Sequence, residues 1–177
     1  MRVILESPFK SNDPKLFFEN MLYVNMVARH LTIEEGMCPL FFHTFYTQFL
    51  DDSNDNERAL GLDASFHHHD RIDTRIIAID RGLSLGMKLG TEYGLEIGCM
   101  PVLFSLSESE SIQSWVRDIN ENPCPIRRWK QIEAFCEELK PVDDIGNYTD
   151  YAASNLELRE EVCDILKRTF APLNEHL

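Results

Sequence analysis

Glu6, Ser7 and Pro8 follow the apolar run RVIL, His43 follows PLFF, Asp80 follows RIIAI, and Ser105 follows PVLF. Polar residues directly after short β-branched runs are those a sheet delivers to one of its ends. A carboxylate, a hydroxyl and an imidazole are the groups that acid–base and nucleophilic chemistry require. Glu6 and Asp80 are the candidate catalytic carboxylates, each able to act as nucleophile, general acid or base, or acceptor for a ribose hydroxyl. The bland alternatives are an N-cap or turn acceptor for Glu6 and a turn acceptor before Gly82 for Asp80. His43 can donate to a phosphate or a base, and Arg58 is the mobile cation of the set. Against these stand a satisfied histidine at a strand end and an arginine paired with Asp51 or Asp52. Tyr46 and Gln48 can stack on and hydrogen-bond a base, although a core tyrosine is an equal reading.

The segment DRGLSLGM, residues 80–87, adds a second kind of chemistry. Ser84 can cap the helix that follows, and Gly82 and Gly86 let backbone approach a ligand. The unpaired N–H groups of a first turn through Met87, with the helix dipole, make an anion site. Neither G-K-[ST] nor G-x-G-x-x-G occurs, so this is not a Walker or dinucleotide loop. In the helix beyond, Lys88, Glu92 and Glu96 share one face, which is expected to meet solvent. Gly86, Gly90, Gly94 and Gly98 line a face roughly opposite, where a glycine stripe lets a helix pack close to a sheet.

These residues need elements to hold them. RVILES (2–7) reads as a first strand stopped by Pro8. Ser11, Asn12 or Asp13 can cap a helix opened by Pro14, with Leu16, Phe17, Met21, Val24, Met26 and Val27 on its apolar face. Gly36 is a plausible stop, MCPLFF (37–42) a second strand, and the stretch after it a loop leading to a helix over 57–69. TRIIAID (74–80) is a third strand, 84–98 a third helix, and MPVLFSL (100–106) a fourth strand. Strand and helix in alternation predict right-handed crossovers and an α/β fold with a central parallel sheet between two helical layers. In such a sheet ligands sit outside the carboxyl ends of the strands.

The core domain is expected over 1–106 and a helical extension over 107–177. SESESIQ (107–113) reads as a linker or helix start. IRRWKQIEAFCEEL (126–139) and LELREEVCDILKRTF (156–170) are amphipathic, and are expected to pack on the core or at a contact between copies, which leaves a homo-oligomer open. The 177 residues carry 44% hydrophobic and 27% charged residues and a net charge of −13. No lysine or arginine cluster breaks the acidity, which argues against binding a nucleic-acid backbone. Apolar runs are too short for a membrane helix, and MRVILESPFK is no signal peptide. Five dispersed cysteines (Cys38, Cys99, Cys124, Cys136, Cys163) form no C-x-x-C pair and suit a reducing cytoplasm, as free thiols. HHHD (67–70) invites a metal assignment, but adjacent helical residues point about 100° apart, so a solvated or partner-facing patch is expected instead. No metal or cofactor is expected.

VILESPF, NMLYVNMVAR, PLFFHTFYTQFLDD, NERALGL and DRGLSLGM occur in that order. Over residues 3 to about 104 the chain resembles a group of phage and bacterial proteins related to nucleoside 2-deoxyribosyltransferases. The resemblance implies a flavodoxin-like fold and a nucleoside, nucleotide or ADP-ribose-like ligand. In the parent enzymes a helix begins D-x-G-T-x-x-E, and its glutamate forms a glycosyl-enzyme. Carried onto this chain, those positions fall on Ser84, Gly86, Met87 and Gly90, so the nucleophile is missing from its expected place.

Two functions are therefore expected as alternatives. One is cleavage or transfer at an N-glycosidic bond, with Glu6 or Asp80 as the acid group and Ser7, Pro8, His43, Tyr46, Gln48, Arg58, Gly82, Ser84, Gly86 and Met87 around the ligand. The other is a nucleotide-binding protein without turnover, such as one that sequesters a signalling nucleotide in an infected cell.

Overall fold

The structure, a computed structural model, describes residues 1–139 apart from 53, 70, 71 and 73. Strand β1 (Arg2–Glu6) is followed by helix α1 (Pro14–Ile33), strand β2 (Cys38–Leu40), a short helix α2 (Phe42–Phe45) and a 3-10 turn at Tyr46–Gln48. Then come α3 (Asp55–Phe66), β3 (Thr74–Ala78), α4 (Leu85–Glu96), β4 (Met100–Phe104), α5 (Glu110–Asn120) and α6 (Pro125–Glu138). The predicted helix at 156–170, Asp70 and Cys163 lie outside the described residues.

All strand pairs are parallel, in the order β2-β1-β3-β4. This is the doubly wound, flavodoxin-like order, in which connections leave β1 and β3 in opposite directions and open a crevice between them. The edge positions of β2 and β4 explain how they tolerate Pro39 and Pro101, since an edge strand can spare an N–H. β2 is shorter than its apolar run because Phe41 leaves the strand geometry and Phe42 already begins α2.

Register divides the strand residues between two faces. Ile4 pairs with Arg75 and Arg75 with Pro101, while Glu6 pairs with Ile77 and Ile77 with Leu103. Paired residues share a side, so Ile4, Glu6, Arg75, Ile77 and Leu103 face one way. Ile77, Ile79 and Leu103 there build a core with Met87 of α4, Ile119 of α5, and Trp129 and Ile132 of α6. On the other face lie Val3, Leu5, Ile76 and Ala78, under α1, which buries Tyr23, Val24, Val27 and Leu31 and sets His30 against Phe104 at 5.4 Å. Each such buried aliphatic side chain contributes about 1.5–3 kcal/mol.

The helix starts are chemically specified. Asp13 accepts from Lys15 N at 2.9 Å and Pro14 occupies the first turn of α1; Asn54 accepts from Asn56 N at 3.0 Å at α3. One element differs from expectation: the stretch after β2 is helical rather than loop-like. The segment 107–113, read as a linker or a helix start, contains the start of α5, whose Asn120 closes the free edge of β4. Its amide accepts from Leu103 N and donates to Leu103 O, both at 2.8 Å, as a neighbouring strand would. Among the described residues, no helix is long and apolar enough to cross a membrane.

Candidate functional site

A cavity of about 340 Å³ opens at the carboxyl end of β1, within the size range of small-molecule sites. Its floor is Glu6 and Ser7; its sides are the first turn of α4 (Ser84, Leu85, Gly86, Met87) and α3; the segment Phe42–Leu50 closes it. Phe9, Phe42, Tyr46 and Phe66 give it aromatic walls. This is the crevice between β1 and β3 where strand order reverses, the place the fold reserves for a ligand.

Glu6 is the central group. Its side chain is 15% exposed, and Oε1 forms an ion pair with Nη1 of Arg75, a residue only 1% exposed. Burial pushes the Glu6 carboxyl up to about 7 although the Arg75 charge pulls the other way. Leaving water costs a carboxylate more than one cation returns. Behind the pair, Arg75 Nη2 donates to His69 Nδ1 at 2.9 Å. His69 is pushed down to about 4, first by burial and then by the charges of Arg75 and His68, so it is neutral near pH 7.

Gly90 and Gly94 make room for this arrangement. A Cβ on Gly90 would lie 2.6 Å from Arg75 Nη1 and 2.8 Å from Glu6 Oε1, and one on Gly94 would lie 3.0 Å from Arg75 Nε. The glycine stripe therefore brings α4 against a buried ion pair rather than against a plain apolar sheet. On the other helix face Glu92 and Glu96 are exposed as expected, while Lys88 is turned to Glu133 of α6 at 3.6 Å.

Next to Glu6, Ser7 Oγ lies 3.2 Å from His43 Nε2, and burial pushes His43 down to about 4. Phe9 packs edge-on against that imidazole at 5.4 Å. At the mouth, Arg58 Nη1 donates to both oxygens of Asp52, at 2.9 and 2.8 Å, and Lys10 Nζ reaches the same carboxylate at 3.3 Å. Of the two readings of Arg58, a mobile cation or a partner of Asp51 or Asp52, the second holds: Asp52 keeps it in place. Ser84 Oγ accepts from Met87 N at 3.3 Å, and Ser84 N donates to Met87 Sδ at 3.4 Å. This uses one N–H of the α4 turn and leaves the turn facing the cavity.

The cavity thus gathers Glu6, Ser7, His43, Tyr46, Arg58, Ser84, Gly86 and Met87. Asp80, Pro8, Gln48 and Gly82 are not part of its lining. Asp80 is 0% exposed and accepts from Tyr23 OH and Leu106 N, each at 2.9 Å, and from Ser105 Oγ, so its carboxylate ties α1 to the end of β4. Gly82 adopts φ +82 in the turn after β3, with its N–H donating to Ile79 O at 2.7 Å, a backbone need rather than a ligand contact. Gln48 is exposed and donates to Thr44 O at 3.2 Å, and Pro8 is buried.

The histidine triplet is a correction. His67 and His68 are exposed, but His69 is 4% exposed and lines the cavity, because the chain leaves α3 after Phe66 and turns inward. No group of three or more potential metal ligands occurs among the described residues. Arg75, His69, Phe42 and Phe66 are site residues the sequence did not single out, whereas Asp52 is one of the two partners expected for Arg58. The signal for Arg75 was an arginine in phase with Ile77 and Ile79 on a buried strand face, opposite a helix with glycines four residues apart.

The protein is thus a doubly wound parallel α/β protein with a carboxylate-floored cavity at its strand switch point. Residues 1–101 match the family described as a domain of unknown function (DUF7768), and the chain belongs to that family. The matched span contains every residue of the cavity; α5 and α6 lie beyond it. Comparison with curated proteins and with solved structures finds no match to the chain.

Proposed function

We propose that the cavity binds a molecule of the nucleoside or nucleotide class and that Glu6 acts on its N-glycosidic bond as the acid group. The observation that carries this reading is the Glu6 carboxyl, backed by Arg75, on the floor of an aromatic-walled cavity at the switch point of the sheet, where burial pushes it up to about 7. A group titrating near neutrality can give a proton to a departing base and take one back from water. Phe42, Tyr46 and Phe66 offer ring faces for a planar base, and the Ser7–His43 couple offers a partner for a sugar hydroxyl.

The resemblance to deoxyribosyltransferases supports the same reading in an altered form. Those enzymes carry a glutamate where this chain has Gly90, and here Glu6 Oε1 lies 2.8 Å from the point where a Cβ at 90 would stand. A side chain at 90 and the Glu6 carboxyl compete for one space, and in this chain β1 rather than α4 supplies the carboxylate. The same glycine favours a second reading, a non-catalytic protein that sequesters a nucleotide, for instance an ADP-ribose-like signal.

Incubation with a panel of nucleosides, nucleotides and cyclic ADP-ribose isomers, followed by thermal shift and mass spectrometry, tests both. Release of free base that disappears in Glu6→Gln is the expected result. A stabilising ligand recovered intact after long incubation selects the sequestering reading. If no member of the panel raises the melting temperature, the nucleoside-class assignment fails.

A further inference from the structure

Arg75 stands apart from everything the fold requires. It projects from the second position of β3 into a core face whose neighbours are Ile4, Ile77 and Pro101, and its side chain is 1% exposed. Taking a guanidinium out of water costs several kcal/mol, and an apolar side chain of similar volume would serve stability as well or better. Its five donors face three surroundings. Nη1 meets Glu6 Oε1, Nη2 meets His69 Nδ1 at 2.9 Å, and Nε has no hydrogen-bond partner among the described residues. Two glycines of α4 are given up to admit it.

We propose that Arg75 and His69 are positioning residues for Glu6: the guanidinium, clamped between carboxyl and imidazole, holds Oε1 so that the other carboxyl oxygen is presented to the cavity. The proposal rests on the reading of the cavity as a working site but concerns the aim of one side chain, not the identity of the ligand. A carboxyl at the end of β1 that borders open space would otherwise turn about its side-chain bonds. Tethering one oxygen from behind removes that freedom before a ligand arrives, and preorganised groups lose less on binding.

His69 completes the clamp because arginine is a donor only, so the imidazole nitrogen facing it must be an acceptor. That fixes the tautomer with its proton on Nε2. The ring is itself held by Phe66 at 5.4 Å, Tyr93 at 5.6 Å and Phe42 at 6.1 Å, and Phe66 stacks on Tyr93 at 4.2 Å. The titratable or charged groups that face Glu6 or share its cavity are Arg75 from β3, His69 from the turn after α3, His43 from α2 through Ser7, and Lys10, Tyr46, Asp52, Glu57 and Arg58 along the lining; α4 brings Gly90 against its carboxyl.

The test uses full-length protein carrying glutamate labelled with carbon-13 at the carboxyl, with the Glu6 signal identified by its loss in Glu6→Gln. Asparagine at 69 places Oδ1 where histidine has Nδ1 and keeps the acceptor, whereas leucine removes it. His69→Leu and Arg75→Met should move the Glu6 titration midpoint up by about one pH unit, and His69→Asn should return it towards the native value. Adenosine, titrated calorimetrically at pH 7, should bind about tenfold more weakly to His69→Leu than to His69→Asn. The His69 pair decides the matter should Arg75→Met fail to fold. One Glu6 titration curve shared by the native protein, His69→Leu and His69→Asn would overturn the proposal. Absence of adenosine binding in the native protein counts against the nucleoside reading alone, and the carboxyl titration still decides the positioning role.

Discussion

Gly90→Ala is the sharpest perturbation the structure offers, because two opposing effects can be weighed. In an unobstructed helix interior, alanine is favoured over glycine by about 1 kcal/mol. Here the added methyl would stand 2.6 Å from Arg75 Nη1, 2.8 Å from Glu6 Oε1 and 3.3 Å from Glu6 Cδ, where ordinary contact begins at 3.4 Å. Arg75 cannot retreat, since Nη2 is bound to His69 and Nε is already close to Gly94. Glu6 can yield only by swinging into the cavity, which separates the pair. Overpacking costs about 1–3 kcal/mol, and breaking a buried ion pair about 3–5 kcal/mol. Because the swing of Glu6 relieves the overlap, the ion-pair cost replaces the overpacking cost, and after the helix gain the net loss is about 2–4 kcal/mol, equivalent to a fall in melting temperature on the order of 10 °C. Gly86→Ala is the control: its nearest neighbours would be 3.9 Å away, so it should be neutral or stabilising by up to about 1 kcal/mol. Urea unfolding at pH 7 measures both. A Gly90→Ala protein as stable as the native one would refute the account of why α4 carries glycine there.

Further predictions concern charge. Protonated Glu6 contributes stability that is complete below its ordinary pKa of 4.5 and lost as pH rises through about 7. His43 and His69, pushed down to about 4, act oppositely: their contribution is present above 6.5 and lost as pH falls through about 4. Glu6→Gln removes only the first effect, so its stability relative to the native protein should grow by about 3 kcal/mol from pH 4.5 to 7. Urea titrations across that range check this, and a difference that is flat or shrinking with pH would contradict the raised carboxyl. Asp80→Asn puts an amide donor among Tyr23 OH, Ser105 Oγ and Leu106 N, and should cost about 2–3 kcal/mol. Any nucleoside that stabilises the native protein should still stabilise Asp80→Asn; loss of that response with the fold intact would return Asp80 to the site.

Much of the fold was legible because it is written in local terms. β-branched runs, Pro14 after an Asp13 cap, and Ser84 before a helical stretch each act within a few residues, and their alternation permits few topologies. The start of α5 was legible as one of two readings of SESESIQ, and Ile112, Trp115, Val116 and Ile119 keep the helical spacing that decides between them. For the site, the ends of β1 and the start of α4 followed from the rule that ligands meet strand carboxyl ends. Pro8, Gln48, Asp80 and Gly82 satisfy the same positional rule, yet they face away from the cavity or spend their polar groups on turns and cross-links.

By itself, then, the sequence determined a parallel α/β core, its helix starts, and a short list of polar residues brought to one end of a sheet. Tertiary structure decided which of those groups meet. Glu6 and Arg75 are 69 residues apart and become partners through the β1–β3 register, with His69 brought to them by the turn after α3. The Glu6 carboxyl owes its pKa to burial, and Gly90 owes its place to the atoms it must not touch. Burial and cross-strand pairing are sums over groups distant in the chain, so no window of sequence carries them.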